Sequence, residues 1–360
     1  MLAIFSGLYY FFIFFIIYGL SKKTKKTPSL KTYQKVSVVI AARNEEENIS
    51  NLIKDLINQD YPKDFLKIII VNDRSSDKTP VIINSFQLKY KYISQINVEK
   101  ENPSMTPKKN ALTLGINYSN SEIIVSTDAD CRVPPGWVSS MAATVIKYPG
   151  IVIGYSKIDE DNSYFNSYQT LDFLGIMSSN AGFSKIGFPC SGSGQNIAYR
   201  KKDFEAIQGF DPVKTEISGD DMYLVQTIDA LIGSYCNTDE NSFVTTKPET
   251  TISGFLNQRT RWSSNSRKNS KTNILLFSFL LTALICNSLV LISLFLIPIT
   301  VWLCFFFSKM LLELIVLKLG GKIFKTKTGL VTFIIWSLIQ PIYIPYIALF
   351  GFKNKFIWKP

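Results

Sequence analysis

Two carboxylates, Asp128 and Asp130, stand one residue apart in the stretch Ser126-Thr127-Asp128-Ala129-Asp130. The β-rich run Ile123-Ile124-Val125 precedes them and the chain-breaking Pro134-Pro135-Gly136 follows. Like charges this close repel, and desolvation at the end of a buried strand adds to the cost. A divalent cation removes that cost, and hard oxygen ligands suit magnesium or manganese. Taken alone, the pair fits a polar turn equally well, because Asp is common in turns.

Two further clusters carry chemistry-bearing side chains. Ser218-Gly219-Asp220-Asp221 opens a helical stretch, 222–231, where acids also serve as simple caps. Gln258-Arg259-Thr260-Arg261-Trp262 stands just before a long apolar run, where a basic-aromatic anchor at a membrane surface is the plain alternative. The loop Ser191-Gly192-Ser193-Gly194-Gln195-Asn196 is glycine-rich, but no Gly-Lys-Ser/Thr follows it, so it is not a P-loop. The chain contains no His, which excludes Ser-His-Asp and Cys-His catalysis and His-ligated metals. Acid–base work falls to carboxylates, Lys, Tyr or Cys. The five Cys form no CxxC pair, so neither a zinc site nor a disulfide framework is indicated.

An alternation of strands and helices must position these groups. Strands are expected at 36–42, 67–71, 93–98 and 122–126, with helices from 49, over 80–86 and over 108–117 between them. This pattern predicts an α/β fold with an open, mostly parallel sheet and helices on both faces. Ligands bind beyond the C-terminal strand ends of such sheets, and Asn44, Glu45, Asp73, Asp128 and Asp130 all fall there. Past residue 133 the pattern is less regular, with strands at 151–155, 197–199 and 243–246 and a helix over 165–178.

Apolar runs flank this polar middle. Leu2 to Leu20 reads as a membrane anchor, since no small-x-small cleavage site follows it. The runs 274–297, 299–317 and 330–350 are each near the roughly 20 residues a spanning helix needs. The expected organisation is an N-terminal transmembrane helix (1–21), a basic linker (22–35) and a cytosolic domain (36–272). That domain divides into a regular first half (36–132) and a less regular second half (133–272). A membrane region (273–360) of two to three helices completes the chain. The net charge is +11, but residues 36–266 carry −5, so the basic excess flanks the apolar runs. Lys22, Lys23, Lys25 and Lys26, then Arg267, Lys268 and Lys271, then Lys318 to Lys327 fit the positive-inside rule, with the polar middle in the cytosol. An acidic middle makes a nucleic-acid duplex an unsuitable partner. Glu313 within the third run should face protein or water, or reach towards Lys309 or Lys318. Pro341 and Pro345 make the last run either a kinked span or an interfacial segment.

In order, the segments VSVVIAARNEEENI, IIIVNDRSSDKT, PKKNAL, IIVSTDADC, SGSGQNIAYRKKDFEAIQGFD, SGDD and QRTRW resemble the membrane-bound inverting glycosyltransferases of family 2, with a GT-A fold. The resemblance runs from about residue 36 to 262. It implies a nucleotide-diphosphate sugar donor, a divalent cation (Mg or Mn) and a membrane lipid or glycan acceptor. It also implies a multi-pass protein of the bacterial inner membrane. By the same resemblance, Asp130 and Asp128 match the DxD carboxylates that engage the metal and donor. Ala41, Arg43, Glu45, Asp73, Lys108, Gln258 and Arg261 match nucleotide-sugar contacts. Trp262 and Asn196 match the acceptor side, and Asp221 matches the general base, with Asp220 as runner-up. The chain departs from the family at Ala41, where Pro is usual, and at Pro107, which replaces the Gly before Lys108. Few spans favour a single transfer to a lipid over a processive polysaccharide synthase. The rival classes are a non-catalytic sugar-nucleotide-binding membrane protein, a nucleotidyltransferase and a transporter.

Overall fold

A computed structural model describes residues 2–23, 30, 32–161, 163–188 and 191–353. Lys25, Lys26, Lys355, Lys359 and the side chains of Arg267, Lys268 and Lys271 lie outside what it describes. In chain order the elements begin with α1 (Leu2–Ser21), β1 (Val36–Ala42), α2 (Ile49–Ile57), β2 (Leu66–Asp73), α3 (Thr79–Gln87), β3 (Ile93–Val98), α4 (Pro107–Tyr118) and β4 (Ile123–Ser126). The middle holds α5 (Trp137–Lys147), β5 (Ile151–Ile153), β6 (Ser156–Ile158), α6 (Tyr164–Ser184), β7 (Ile197–Arg200), α7 (Lys201–Ala206), α8 (Asp220–Leu231), β8 (Ser234–Cys236) and β9 (Val244–Thr246). The remainder is helical: α9 (Ile252–Ser264), α10 (Ser266–Thr272), α11 (Ile274–Ser293), α12 (Ile299–Phe324) and α13 (Leu330–Phe352). The chain forms two compact units, one of residues 24–159 and 191–247, the other of 1–23, 160–190 and 248–360.

The first unit is α/β. Among the described residues, seven strands make one sheet in the order β3-β2-β1-β4-β7-β5-β8. β1 pairs in parallel with both β2 and β4, and β2 with β3. Their C-terminal ends therefore share one edge. β7 runs antiparallel to β4 and β5, which brings the loop before it to that same edge. Val38, Ile40, Ile68, Ile70, Ile123 and Val125 are fully buried, as strands covered on both faces require. The expected strands and helices of the first half appear with shifts of only a residue or two. α5, β6, α7 and β8 lie outside the expected elements. α5 is buried nearly all round, so it lacks the one-sided period that reveals a surface helix.

The second unit is helical. α11, α12 and α13 are long and apolar enough to cross a membrane, and α1 adds the shorter apolar stretch Ser6–Ser21. α13 runs unbroken through Pro341 and Pro345. Glu313 faces protein: its carboxylate lies 2.7 Å from Lys309 Nζ and accepts a 2.7 Å hydrogen bond from the Tyr9 hydroxyl. Lys309 is wholly buried, so pairing is what makes these charges tolerable. α1 meets α6 at Gly19 and Gly182, where a Cβ on Gly19 would stand 2.0 Å from the Gly182 carbonyl oxygen. Only glycine permits that approach.

Candidate active site

At the shared strand edge, β4 delivers its carboxylates through a pinned turn. The Ser126 hydroxyl donates to the Val39 carbonyl at 2.9 Å, and the Cys131 amide donates to the Asp128 carbonyl at 3.2 Å. Arg132 bridges to Thr245, which fixes the exit of the turn. Asp128 and Asp130 are both partly exposed. The Cys131 thiol points at Asp130 Oδ1 at 3.8 Å. Burial, reinforced by Asp128 and Asp130, pushes its pKa well up.

The second pair of acids arrives on α8. Gly219 caps this helix with φ of +88°, a left-handed conformation natural to glycine. Asp220 and Asp221 then occupy the first turn, where the helix dipole favours negative charge. Asp221 is held at both oxygens. The Gly194 amide donates to Oδ2 at 3.0 Å and the Met222 amide donates to Oδ1 at 2.7 Å. Burial, followed by repulsion from Asp220, raises the Asp221 pKa above the ordinary carboxylate value, while the Gly194 amide and Lys108 oppose the shift.

Lys108 joins the two acid pairs. Pro107 sits at the first position of α4, where its missing N–H costs nothing, so the departure from glycine leaves the helix start intact. Lys108 Nζ lies 2.8 Å from Asp128 Oδ1 and 3.9 Å from Asp220 Oδ2. Burial works to lower its pKa, but Asp128 and Asp220 outweigh that and hold it raised, so the ammonium stays charged. Ala41, Lys108, Asp128, Gly194, Asp220 and Asp221 line one pocket.

The remaining predicted residues of this unit sit at the ends of β1 and β2. Arg43 lies 3.7 Å from the buried Asp73, and Arg74 donates to Asp73 Oδ1 at 3.0 Å. Arg74, which sequence reasoning passed over, also pairs with Glu101 at 3.0 Å. Its position directly after Asp73 was the available signal. The Glu45 carboxylate accepts from Asn48 at 2.7 Å, and its amide donates to Thr79 at 2.8 Å. Asn196 is fully buried. Its amide nitrogen donates to the Tyr155 and Ser242 carbonyls, and its oxygen accepts from the Trp137 indole at 2.9 Å. That side chain ties α5, the β5–β6 segment and the 240–242 turn together, and it offers no open surface for an acceptor.

Gln258, Arg261 and Trp262 belong to α9 in the helical unit. Gln258 Nε2 donates to Glu249 at 2.8 Å, and the Trp262 ring lies 5.7 Å from that of Phe173.

Asp128 and Asp130 present only oxygen donors, which fits a magnesium-like cation. Among the described residues, no group of three or more His, Cys, Asp or Glu side chains is placed to hold an ion. Two carboxylates plus phosphate oxygens from a bound nucleotide are nonetheless a usual set for such a cation.

Comparison with known proteins agrees with this architecture. The family model described as glycosyl transferase family 21 matches residues 2–359. The probable glycosyltransferase YdaM of Bacillus subtilis is 43% identical over 102 residues, which is 28% of this chain and 24% of that protein. The β-monoglucosyldiacylglycerol synthase of Synechocystis sp. is 33% identical over 102 residues, 28% of this chain and 21% of that one. The poly-β-1,6-N-acetyl-D-glucosamine synthase of Staphylococcus epidermidis is 28% identical over 174 residues, 48% of this chain and 40% of that one. The chain thus spans less than half the length of these relatives. Among solved structures, the mannosyltransferase PcManGT of Pyrobaculum calidifontis, in complex with GDP-Man and Mn2+, matches with a TM-score of 0.66 at 16% identity. It covers 98% of this chain and 97% of that one, so the two share the GT-A-type α/β fold with its helices.

Proposed function

The chain belongs to glycosyl transferase family 21, and on that premise we propose that it moves one sugar from a nucleotide-diphosphate sugar to a hydroxyl of a membrane lipid or lipid-linked acceptor. The transfer inverts the anomeric centre and takes place at the cytoplasmic leaflet. The motif order that resembles family 2 lies within the stretch the family 21 model covers. The observation that carries the proposal is the single pocket in which Lys108 stands between Asp128 and the Asp220–Asp221 pair.

Each end of the reaction has its groups. Asp221, steered by the Gly194 and Met222 amides, takes the proton of the acceptor hydroxyl. Its raised pKa makes it a stronger base than a solvated carboxylate. A base on one face and a leaving group on the other give direct displacement with inversion. Asp128 and Asp130 would hold the divalent cation, which when bound offsets the charge that grows on the departing diphosphate. Lys108 supplies a fixed positive charge beside it. Arg43, Glu45 and Asp73 serve the nucleoside end. Gln258 and Arg261 serve the diphosphate, where the planar donor fork of Arg suits phosphate oxygens, and Trp262 serves the acceptor.

PcManGT in complex with GDP-Man and Mn2+ supports the donor class and the cation. The glucosyldiacylglycerol synthase supports a lipid acceptor. Three helices able to span a membrane, with Lys22, Lys23, Lys318, Lys322, Lys325 and Lys327 at helix ends, support the leaflet. The poly-N-acetylglucosamine synthase favours a second outcome, repeated addition to one chain.

The deciding experiment incubates the purified protein with Mn2+, a panel of sugar nucleotides and membrane lipid extract. Nucleoside diphosphate release and the product masses are then measured. Release with a product one sugar heavier supports the proposal. A ladder of masses replaces it with the processive reading, and pyrophosphate release points to a nucleotidyltransferase. Release that survives Asp221→Asn removes Asp221 from its role.

A further inference from the structure

Arg259 directly follows Gln258 in the Gln258–Trp262 segment. It is among the most deeply placed polar side chains of the helical unit, 3% exposed. Its Nε donates to Asp172 Oδ2 of α6 at 2.8 Å, and Asp172 is itself buried. The Tyr343 hydroxyl of α13 approaches the same oxygen at 3.4 Å. The guanidinium carbon lies 4.2 Å from the centre of the Trp262 ring and 4.7 Å from that of Phe255. Arg259 Nη1 donates to Gln258 Oε1 at 2.5 Å.

These contacts do more than join two helices. The Gln258 amide is held from both ends, because Arg259 can only donate to its oxygen and Glu249 can only accept from its nitrogen at 2.8 Å. One orientation of the amide satisfies both neighbours. Trp262, three residues on from Arg259, lies on the same face of α9, and its ring lies 4.2 Å from the guanidinium carbon and 5.7 Å from the Phe173 ring, which the guanidinium also reaches at 5.8 Å. The buried charge of Arg259 is thus matched by Asp172, while its flat face and its Nη1 donor set the attitude of the two neighbouring side chains; its Nη2 is buried with no hydrogen-bond partner among the described residues.

We propose that Arg259, anchored by Asp172, is the positioning residue that fixes the Gln258 amide and the Trp262 ring. It acts through these two side chains and touches no substrate. The proposal rests on the glycosyl-transfer reading above for its catalytic consequence, but the geometry it asserts is testable without turnover.

The test uses the full-length protein in detergent and three forms: wild type, Arg259→Lys, and the double variant Arg259→Met with Asp172→Leu. Replacing a buried ion pair with apolar residues of similar volume commonly preserves or raises stability, so the double variant is expected to keep its melting temperature. It nevertheless loses the donor to Gln258 and the stacking on Trp262. Its kcat for sugar transfer should fall at least about tenfold, with nucleotide-sugar KM altered less than about threefold. Arg259→Lys keeps the charge but not the fork, and should recover only part of kcat.

Trp262 fluorescence, obtained as the difference between each form and its Trp262→Phe counterpart, should shift to the red in the double variant. A folded double variant with wild-type kcat and unshifted Trp262 emission overturns the proposal. If the wild type transfers no sugar from UDP-glucose, UDP-N-acetylglucosamine or GDP-mannose, the glycosyl-transfer reading fails. The emission shift then still upholds or overturns the positioning role.

Discussion

Lys108 and Asp128 form a 2.8 Å ion pair that links the first turn of α4 to the turn after β4. The same ammonium reaches to 3.9 Å from Asp220 on α8. One cation therefore sits between Asp128 and Asp220, which would otherwise face one another. The pocket is built to hold positive charge even before a ligand adds any.

Removing that charge should cost binding before it costs folding. In Lys108→Met the carboxylates lose their shared counter-ion and repel the donor diphosphate. We expect nucleoside diphosphate affinity in Mn2+ to weaken by about tenfold or more, measured by calorimetry.

The two acids of α8 should separate by kinetics. Asp221→Asn keeps the shape and its contact with the Gly194 amide but takes no proton, so kcat should drop by about 100-fold to 10,000-fold. Asp220→Asn should lose less. The reverse ranking in a transfer assay would move the base to Asp220.

The pH profile carries a sign. A general base works deprotonated, and burial together with Asp220 raises the Asp221 pKa above the ordinary value of about 4. The acid limb of kcat/KM should therefore lie above that value, with activity lost as pH falls through it. Asp220→Asn removes a raising influence, so the limb moves to lower pH. Lys108→Met removes a lowering influence, so it moves to higher pH. Both shifts are read from kcat/KM profiles of the three forms.

Metal dependence should map to the β4 turn. Chelation is expected to abolish transfer by the wild type. Asp130→Ala should raise the Mn2+ concentration needed for half-maximal rate by about tenfold, since it removes one of two carboxylate ligands. An unchanged Mn2+ response would place the ion elsewhere.

Asn196 should report on stability. Asn196→Ala strands the Trp137 indole N–H and leaves the Tyr155 and Ser242 carbonyls without that donor, all at a fully buried position. A loss of about 2–4 kcal/mol is expected, seen as a lower melting temperature. A variant as stable as the wild type would return Asn196 to the acceptor side.

The polymer's own pattern determined a good deal. Unbroken apolar runs such as Val38 to Ala42 and Ile68 to Val71 announce strands covered on both faces, because only such strands are apolar at successive positions. Their order places Asp73 and Asp128 at strand ends. Hydrophobic length alone marks α11 to α13 as long and apolar enough to cross a membrane, because a bilayer sets a fixed thickness. What spacing along the chain cannot state is which distant groups meet. The approach of Lys108 to Asp128 joins residues 20 apart, and the grip of the Gly194 amide on Asp221 joins residues 27 apart. Asn196 gave a polar loop signature, yet its side chain is spent inside the fold. Arg259 looked like one more basic residue beside an apolar run, until packing against Asp172, 87 residues earlier, buried it. Local propensity is written in neighbours along the chain, whereas burial and charge pairing arise only when the sheet and helices close on one another. Those two terms decide which of the polar residues form a site and which hold it up.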